Sequence, residues 1–254
     1  MIDGHCHLEQ PDFSRDLHDV VRRCREGGIR ALVTSCAHPK DLDLTMRIVE
    51  RYRGYVFATL AIHPGHVKDV PEEEVSEYVE RLRGIGEGAR GIGECGLDFK
   101  WVTEPEWRDR QRVLFVRFIE LAEELGKPLV IHSRGATEEA IRILEEQGAE
   151  RVLMHFFTQR RSLARVVDNG WLISVNTGLL RSKTIRKIVR DTPIDRIVLE
   201  TDAPWMSPSG GRNEPTAIRT VAERIARVKG MTFDRVWQEC GRNAARFYGL
   251  PVGL

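Results

Sequence analysis

The chain has 254 residues and a net charge of +1 at pH 7, from 39 basic and 38 acidic residues, so its overall charge identifies no partner. Its length suits one α/β barrel or two smaller domains. Its five cysteines are scattered and contain no C-x-x-C, which argues against both a disulfide framework and a cysteine zinc knuckle. Because no apolar run is long enough to span a bilayer and polar residues stand where a signal peptide would be apolar, we expect a cytoplasmic protein that does not enter membranes.

Predicted strands and helices alternate along the whole chain. Apolar runs predict strands at 1–8, 31–37, 56–62, 89–95, 128–132, 151–156, 171–175 and 196–200, with a turn at 96–98. Helical spacing predicts helices over 17–24, 40–52, 72–82 and 106–125, one capped by Thr137, and others from 162, 182, 216 and 233. About eight such units favour a single (β/α)₈ TIM-type barrel over 1–254. A doubly wound open sheet is the alternative, and periodicity does not separate the two.

Residues that could bind a metal fall at the carboxyl ends of the predicted strands. They are His5, His7, His63, Glu94, His132, His155 and Asp202. In a closed barrel these ends meet at one mouth, whereas in an open sheet the outer strands lie too far apart to share an ion. The positions therefore favour both the barrel and a metal site. Imidazole and carboxylate ligands suit Zn, Mn or Mg, and the number of imidazoles favours Zn or Mn.

Seven motifs along the chain resemble those of the TatD family, in the same order. They are Asp3-Gly4-His5-Cys6-His7-Leu8, Ile62-His63-Pro64, Gly91-Ile92-Gly93-Glu94-Cys95-Gly96-Leu97-Asp98, Ile131-His132-Ser133-Arg134, Met154-His155-Phe156, Glu200-Thr201-Asp202-Ala203-Pro204-Trp205 and Arg212-Asn213-Glu214-Pro215. The resemblance covers nearly the whole chain. It implies a metal-dependent barrel hydrolase with deoxyribonuclease activity, including 3′–5′ exonuclease activity on single strands.

The resemblance also implies a site for two divalent metal ions. One ion would be held by His5, His7 and Asp202, and the other by His132 and His155. Glu94 would bridge them, a role for which a carboxylate is suited because its two oxygens can hold two cations about 3.5–4 Å apart. Related barrel hydrolases that bridge their metals with a carbamylated lysine are disfavoured, since the fourth strand carries Glu94 and no lysine.

Catalytic and substrate-binding roles follow from the same resemblance. Asp202 and Glu94 would be the catalytic residues, with Asp202 taking a proton from the metal-activated water. Glu200 is a weaker candidate that would support the ligands from behind. His63 and Arg134 would contact substrate phosphate, since a guanidinium can bind two phosphate oxygens at once.

Three alternatives stay open on the sequence alone. Two metals also polarise carbonyl groups, so the substrate could be an aminoacyl ester on tRNA or a small amide instead of single-stranded DNA. A binding or scaffold barrel without turnover is disfavoured by the complete set of ligands, and no obligate protein partner is evident. Finally, the basic stretch 160–190 could contact a polyanion or be a solvated surface.

Overall fold

This computed structural model describes residues 1–253, except the side chain of Glu87. The described residues include eight parallel strands and nine α-helices. The strands are β1 (Ile2–Cys6), β2 (Ala31–Cys36), β3 (Val56–Leu60), β4 (Ala89–Asp98), β5 (Leu129–Arg134), β6 (Val152–Met154), β7 (Leu172–Val175) and β8 (Ile197–Leu199). The helices are α1 (Leu17–Glu26), α2 (Leu42–Arg51), α3 (Glu72–Arg83), α4 (Pro105–Glu124), α5 (Thr137–Glu146), α6 (Leu163–Asp168), α7 (Lys183–Asp191), α8 (Ile218–Lys229) and α9 (Phe233–Tyr248). None of these helices combines the length and apolarity needed to cross a membrane.

The sheet follows chain order from β1 to β8 and curls into a barrel. Hydrogen bonds join its two ends: the Asp202 N–H donates to the His5 carbonyl at 3.0 Å, and the His7 N–H donates to the Ala203 carbonyl at 2.7 Å. The buried Asp3 side chain also accepts from the Thr201 N–H at 3.0 Å across this seam. The predicted (β/α)₈ barrel is therefore confirmed, and the open doubly wound sheet is wrong.

Two apolar cores hold the barrel. The larger core lies between the sheet and the surrounding helices. The smaller core gathers one or two side chains from each of six strands, which can meet only inside the barrel: Ile2, Ala31, Val33, Phe57, Val130, Leu153 and Val198. The end of α9 closes this inner core, where the Tyr248 hydroxyl donates to the Gly4 carbonyl at 2.8 Å. The apolar filling occupies one end of the barrel and leaves the other for polar side chains.

Irregularities in β1 and β4 turn the polar side chains inward. The register of β1 against β2 shifts between Asp3 and Cys6, and that of β4 against β5 shifts between Gly93 and Cys95. In a regular strand, Cys6 would share the inward face of Ile2, but it packs in the outer core instead. Bulges of this kind re-aim side chains at barrel rims. They place His5 and Glu94 inside the mouth.

The fourth strand is longer than the sequence predicts. Residues 96–98 continue β4 and pair with β5, with Asp98 opposite Arg134, so the predicted turn is wrong. A Cβ on Gly96 would lie 2.1 Å from the His132 carbonyl oxygen, which shows that glycine is needed here for close strand approach. The α5 cap also differs, because Ala136 is the N-cap and Thr137 is the first helical residue.

Candidate metal centre

Seven polar side chains converge at the mouth of the barrel, as the strand-end positions predict. Three groups have potential ligand atoms within 4.8 Å of one another: His5 with His155 and Asp202, His5 with His7 and Glu94, and His63 with Glu94 and His132. Since the groups share members, they form one continuous cluster. The side chains are almost entirely buried, and Asp202, at 15% exposed, is among the most accessible.

The carboxylate of Glu94 lies between two sets of imidazoles. Its Oε1 atom is 2.7 Å from His132 Nδ1 and 3.6 Å from His155 Nε2. Its Oε2 atom instead lies 3.3 Å from His5 Nε2 and 4.0 Å from His7 Nε2. Oε1 therefore faces His132 and His155, with His63 Nε2 also 3.6 Å away, whereas Oε2 faces His5 and His7.

Asp202 completes the set that faces Glu94 Oε2. Its Oδ1 atom is 3.6 Å from His7 Nε2, 3.9 Å from His5 Nε2 and 4.0 Å from His155 Nε2. The residue has φ +58°, in the left-handed region that aspartate and asparagine tolerate better than most side chains. This backbone conformation directs the carboxylate from the β8 end into the mouth.

Three of the imidazoles have a carboxylate on the side away from the centre. His132 Nε2 is 2.9 Å from Asp98 Oδ2, and His155 Nδ1 is 2.9 Å from Glu200 Oε2. His7 Nδ1 lies 3.3 Å from Glu9 Oε1, at ion-pair distance without hydrogen-bond alignment. Such partners fix the orientation of a ring and leave its other nitrogen free to bind a cation.

Asp98 and Glu9 are residues that the sequence analysis missed. Glu9 follows His7 by two residues, as His7 follows His5. This spacing could have indicated that the Glu9 side chain lies on the same side of the chain as the two imidazoles. Asp98 lies in a quoted motif, but the glycine at 96 suggested a turn. Glu200, in contrast, lies behind a ligand candidate as predicted.

His63 reaches the cluster with a protonated nitrogen. Its Nδ1 atom accepts a hydrogen bond from the Gly65 N–H at 2.9 Å, so the hydrogen of the neutral ring is on Nε2. Burial, with the neighbouring His132, lowers the pKa of His63 to about 3 and keeps the ring neutral. Nε2 lies 3.2 Å from His132 Nδ1 and 3.6 Å from Glu94 Oε1. A nitrogen that carries a hydrogen donates a hydrogen bond and does not ligate a cation.

Arg134 lies at the rim, outside the buried cluster. It is exposed, and its guanidinium carbon is 4.9 Å from the centroid of the Trp101 ring. Within the described residues it has no acidic partner at ion-pair distance. Its charge is therefore available to an anionic ligand.

The charges of the cluster are strongly coupled. Burial opposes ionisation of Glu94, but the surrounding imidazoles, with His155 first, hold its pKa well below the ordinary value. The pKa of Asp202 is also lowered, since His7 and His155 outweigh its burial. Burial likewise disfavours charge on His155, but Glu200 and Glu94 raise its pKa to about 10. Both carboxylates are therefore ionised at neutral pH.

The donor set fits a divalent cation. Nε2 atoms of His5 and His7 lie 3.1 Å apart, and both face Glu94 Oε2 and Asp202 Oδ1. Imidazole nitrogens and ionised carboxylate oxygens that are buried this close together are a donor set that a shared cation satisfies. Imidazole with carboxylate is the donor chemistry of Zn and Mn sites.

Four of the eight basic side chains in the stretch 160–190 form ion pairs with nearby acids. The ion pairs are Arg160 with Asp191, Arg161 with Glu138, Arg165 with Glu145 and Arg190 with Asp191. Within the described residues, Arg181, Lys183, Arg186 and Lys187 form no ion pair, so they could still contact a phosphate backbone. The polyanion contact therefore stays a prediction beside the solvated surface.

Comparisons with known proteins agree with this fold and identify the family. A family model described as TatD related DNase matches residues 2–249. Human deoxyribonuclease TATDN3 is 36% identical over 98% of this chain and 94% of that protein. The uncharacterized metal-dependent hydrolase YabD of Bacillus subtilis is 32% identical over 98% of this chain and 99% of its own. The crystal structure of YJJV, a TatD homolog from Escherichia coli, superposes with a TM-score of 0.91 at 23% identity over 99% of this chain and 98% of that chain, which shows the shared fold. The chain therefore belongs to the TatD family of metal-dependent hydrolases.

Proposed function

We propose that the chain is a phosphodiesterase that hydrolyses DNA with two divalent metal ions and acts on single-stranded 3′ ends. The observation that carries the proposal is that the two oxygens of Glu94 face different imidazoles. Oε1 faces His132 and His155, and Oε2 faces His5 and His7. One side chain can thereby serve two cations at the short separation that phosphoryl hydrolysis uses, about 3.5–4 Å. The deoxyribonuclease name of the human relative supports DNA as the substrate.

Each ion would have its own ligands. His5, His7 and Asp202 would hold the first ion, and His132 and His155 the second, with Glu94 shared. When bound, the ions supply Lewis acidity that polarises a phosphoryl oxygen and lowers the pKa of water. Zn, Mn and Mg are all consistent with these ligands, and the imidazoles favour Zn or Mn.

Asp202 would act as the general base. Its carboxylate is ionised, and it is exposed enough to reach water in the mouth. It can therefore accept the proton from the attacking water, as general-base catalysis requires. Glu94 would act by electrostatics, since its charge is enclosed by imidazoles.

Two donors near the cluster favour a phosphodiester over a carbonyl substrate. His63 Nε2–H lies on the inner side, 3.2 Å from His132 Nδ1 and 3.6 Å from Glu94 Oε1, and Arg134 carries an unpaired charge at the rim. A phosphodiester has two non-bridging oxygens that carry negative charge, whereas an ester or amide carbonyl has one neutral oxygen. A guanidinium and a neutral imidazole N–H suit the anionic diester.

The experiment that tests the function is a cleavage assay on chelated and metal-restored protein. We expect 5′-labelled single-stranded DNA to shorten from its 3′ end only after Mn, Zn or Mg is added. A duplex of the same sequence, single-stranded RNA, aminoacyl-tRNA and a simple amide serve as competing substrates. Release of the amino acid from aminoacyl-tRNA without any cleavage of DNA would overturn the proposal in favour of carbonyl chemistry. The predicted cytoplasmic location and lack of an obligate protein partner stay predictions.

Metal affinity should rise with pH. Because the pKa of His155 is about 10 without a metal, at neutral pH the ring holds a proton that a cation must displace. As pH increases, that proton is bound less and competes less. Calorimetry between about pH 6 and 9, in buffers of different ionisation enthalpy, should show proton release on binding and increasing affinity. Affinity that does not change with pH would contradict this account of the ligands.

Asp98 and Glu9, the carboxylates on the outer sides of His132 and His7, should each affect the affinity of a different metal ion. Asp98→Asn should weaken the ion held by His132, and Glu9→Gln should weaken the ion held by His7, each by about 10- to 100-fold. Competition titrations with a chromogenic chelator resolve the two binding constants. Equal weakening of both ions by each substitution would show that these residues do not divide between two sites.

A further inference from the structure

Two tryptophan side chains are exposed at the mouth of the barrel. Among the described residues, the exposed large apolar side chains are Leu44, Trp101, Val113 and Trp205. Trp101 is 62% exposed and Trp205 49% exposed, whereas Trp171, in the core, is 2% exposed. Single exposed apolar residues are ordinary, but an indole is costly to leave in water and these two share one rim.

The two indoles lie on opposite sides of the polar cluster. Trp101 follows β4 and Trp205 follows β8, and strands four positions apart in an eight-stranded barrel are opposite one another. The Trp205 ring centroid is 4.6 Å from that of His7, and the Trp101 centroid is 6.0 Å from that of His63. The histidine cluster therefore lies between them.

Each indole is held before any ligand arrives. The Trp101 backbone N–H donates to Asp98 Oδ1 at 2.8 Å, and the Arg134 guanidinium covers one side of the ring. The Trp205 backbone N–H donates to the Asp202 carbonyl at 2.9 Å, and its ring packs edge-on against the His7 imidazole. Preorganised rings lose little freedom when a partner stacks on them. The residues that hold the two backbones, Asp98 and Asp202, also contact the imidazoles of the cluster.

We infer that Trp101 and Trp205 are stacking platforms for the unpaired bases on either side of the scissile bond in single-stranded DNA. The inference rests on the proposed function and names the feature of the substrate that the mouth recognises. Every base presents a flat π-face, so aromatic platforms bind single strands with little regard to sequence. In a duplex the same faces are occupied by neighbouring bases, and unstacking costs free energy. The unpaired Arg134 beside Trp101 is placed to contact the phosphate that adjoins the stacked base.

The test combines substitutions in the protein with removal of bases from the DNA. The proteins are the parent, Trp101→Ala, Trp205→Ala, the two corresponding Phe variants, and Val113→Ala as a matched loss of an exposed apolar side chain on α4. The strands are a single-stranded oligonucleotide and the same strand with base-free nucleotides at its last two 3′ positions. Kd is measured by fluorescence anisotropy on phosphorothioate-linked versions with the metal present, and KM and kcat are measured on cleavable versions.

Each Ala variant should raise Kd and KM for the complete strand by about 5- to 150-fold, the range that one base–aromatic stack provides, with a smaller change in kcat. Phe should restore most of the affinity, and Val113→Ala should match the parent. The base-free strand, which lacks both bases, should bind the parent more weakly than the complete strand binds either single Ala variant. On that strand the Ala substitutions should change little further.

Two results would overturn the inference. One is equal binding of complete and base-free strands by the parent, a comparison that needs no folded variant. The other is an equal loss of affinity for both strands in the Ala variants. If the parent cleaves DNA with Kd values independent of both tryptophans, the stacking inference fails and the proposed function stands. If the parent binds single strands through the tryptophans but cleaves no DNA, the proposed function fails and the stacking inference stands.

Discussion

Asp202→Asn should reduce kcat on single-stranded DNA by about 10²- to 10⁴-fold, the usual contribution of a positioned general base. The amide oxygen cannot take the proton that the carboxylate accepts. Asparagine tolerates the left-handed backbone conformation of this position, where φ is +58°, so folding should be preserved. The measurement is kcat at saturating metal, with thermal unfolding as the check on folding.

Asp195→Asn provides the matched control, because Asp195 is an exposed residue just before β8, at the opposite end of that strand. That variant should retain the parental rate. Activity of Asp202→Asn within a few-fold of the parent at saturating metal would remove Asp202 as the base.

Glu94→Ala should weaken metal binding at both sites and abolish hydrolysis. The carboxylate is buried, and its oxygens approach imidazoles from both halves of the site, at 2.7 Å for His132 and 3.3 Å for His5. Its removal would leave the imidazoles without the central negative charge, so both ions should bind more weakly. Elemental analysis after gel filtration should show that the parent retains two ions and the variant fewer than one.

Glu214→Gln is the control for Glu94, since Glu214 forms ion pairs with Arg23 and Arg212 away from the cluster. It should retain both ions. If Glu94→Ala lost one ion and kept the other at full affinity, Glu94 would be a ligand of a single site.

The sequence predicted the membership of the cluster better than its chemistry. Strand-end position was enough to place His5, His132 and Asp202 together, because a barrel brings all its carboxyl strand ends to one mouth. The regular alternation of side chains along a strand, however, does not explain how His5 and Glu94 turn inward. That depends on the register shifts in β1 and β4, and the bulged residues carry no distinctive side chain.

Other features depend on contacts between distant segments. The protonated Nε2 of His63 follows from the Gly65 N–H that occupies Nδ1, a local geometry that residue types do not specify. Gly96 suggested a turn, but its role is to let β4 approach β5, which brings Asp98 to His132. The acids that pair with part of the basic stretch, such as Glu138 and Glu145, lie on a neighbouring helix and could not be paired with it from sequence.

The most direct measurement of the central claim is anomalous diffraction from crystals grown with Mn. Because one Glu94 oxygen faces His132 and the other faces His5, we expect two anomalous peaks, one beside each carboxylate oxygen. The peak near Glu94 Oε2 should also lie within ligand distance of His7 and Asp202. A single peak, or two peaks that both lie away from Glu94, would contradict the proposed two-metal centre.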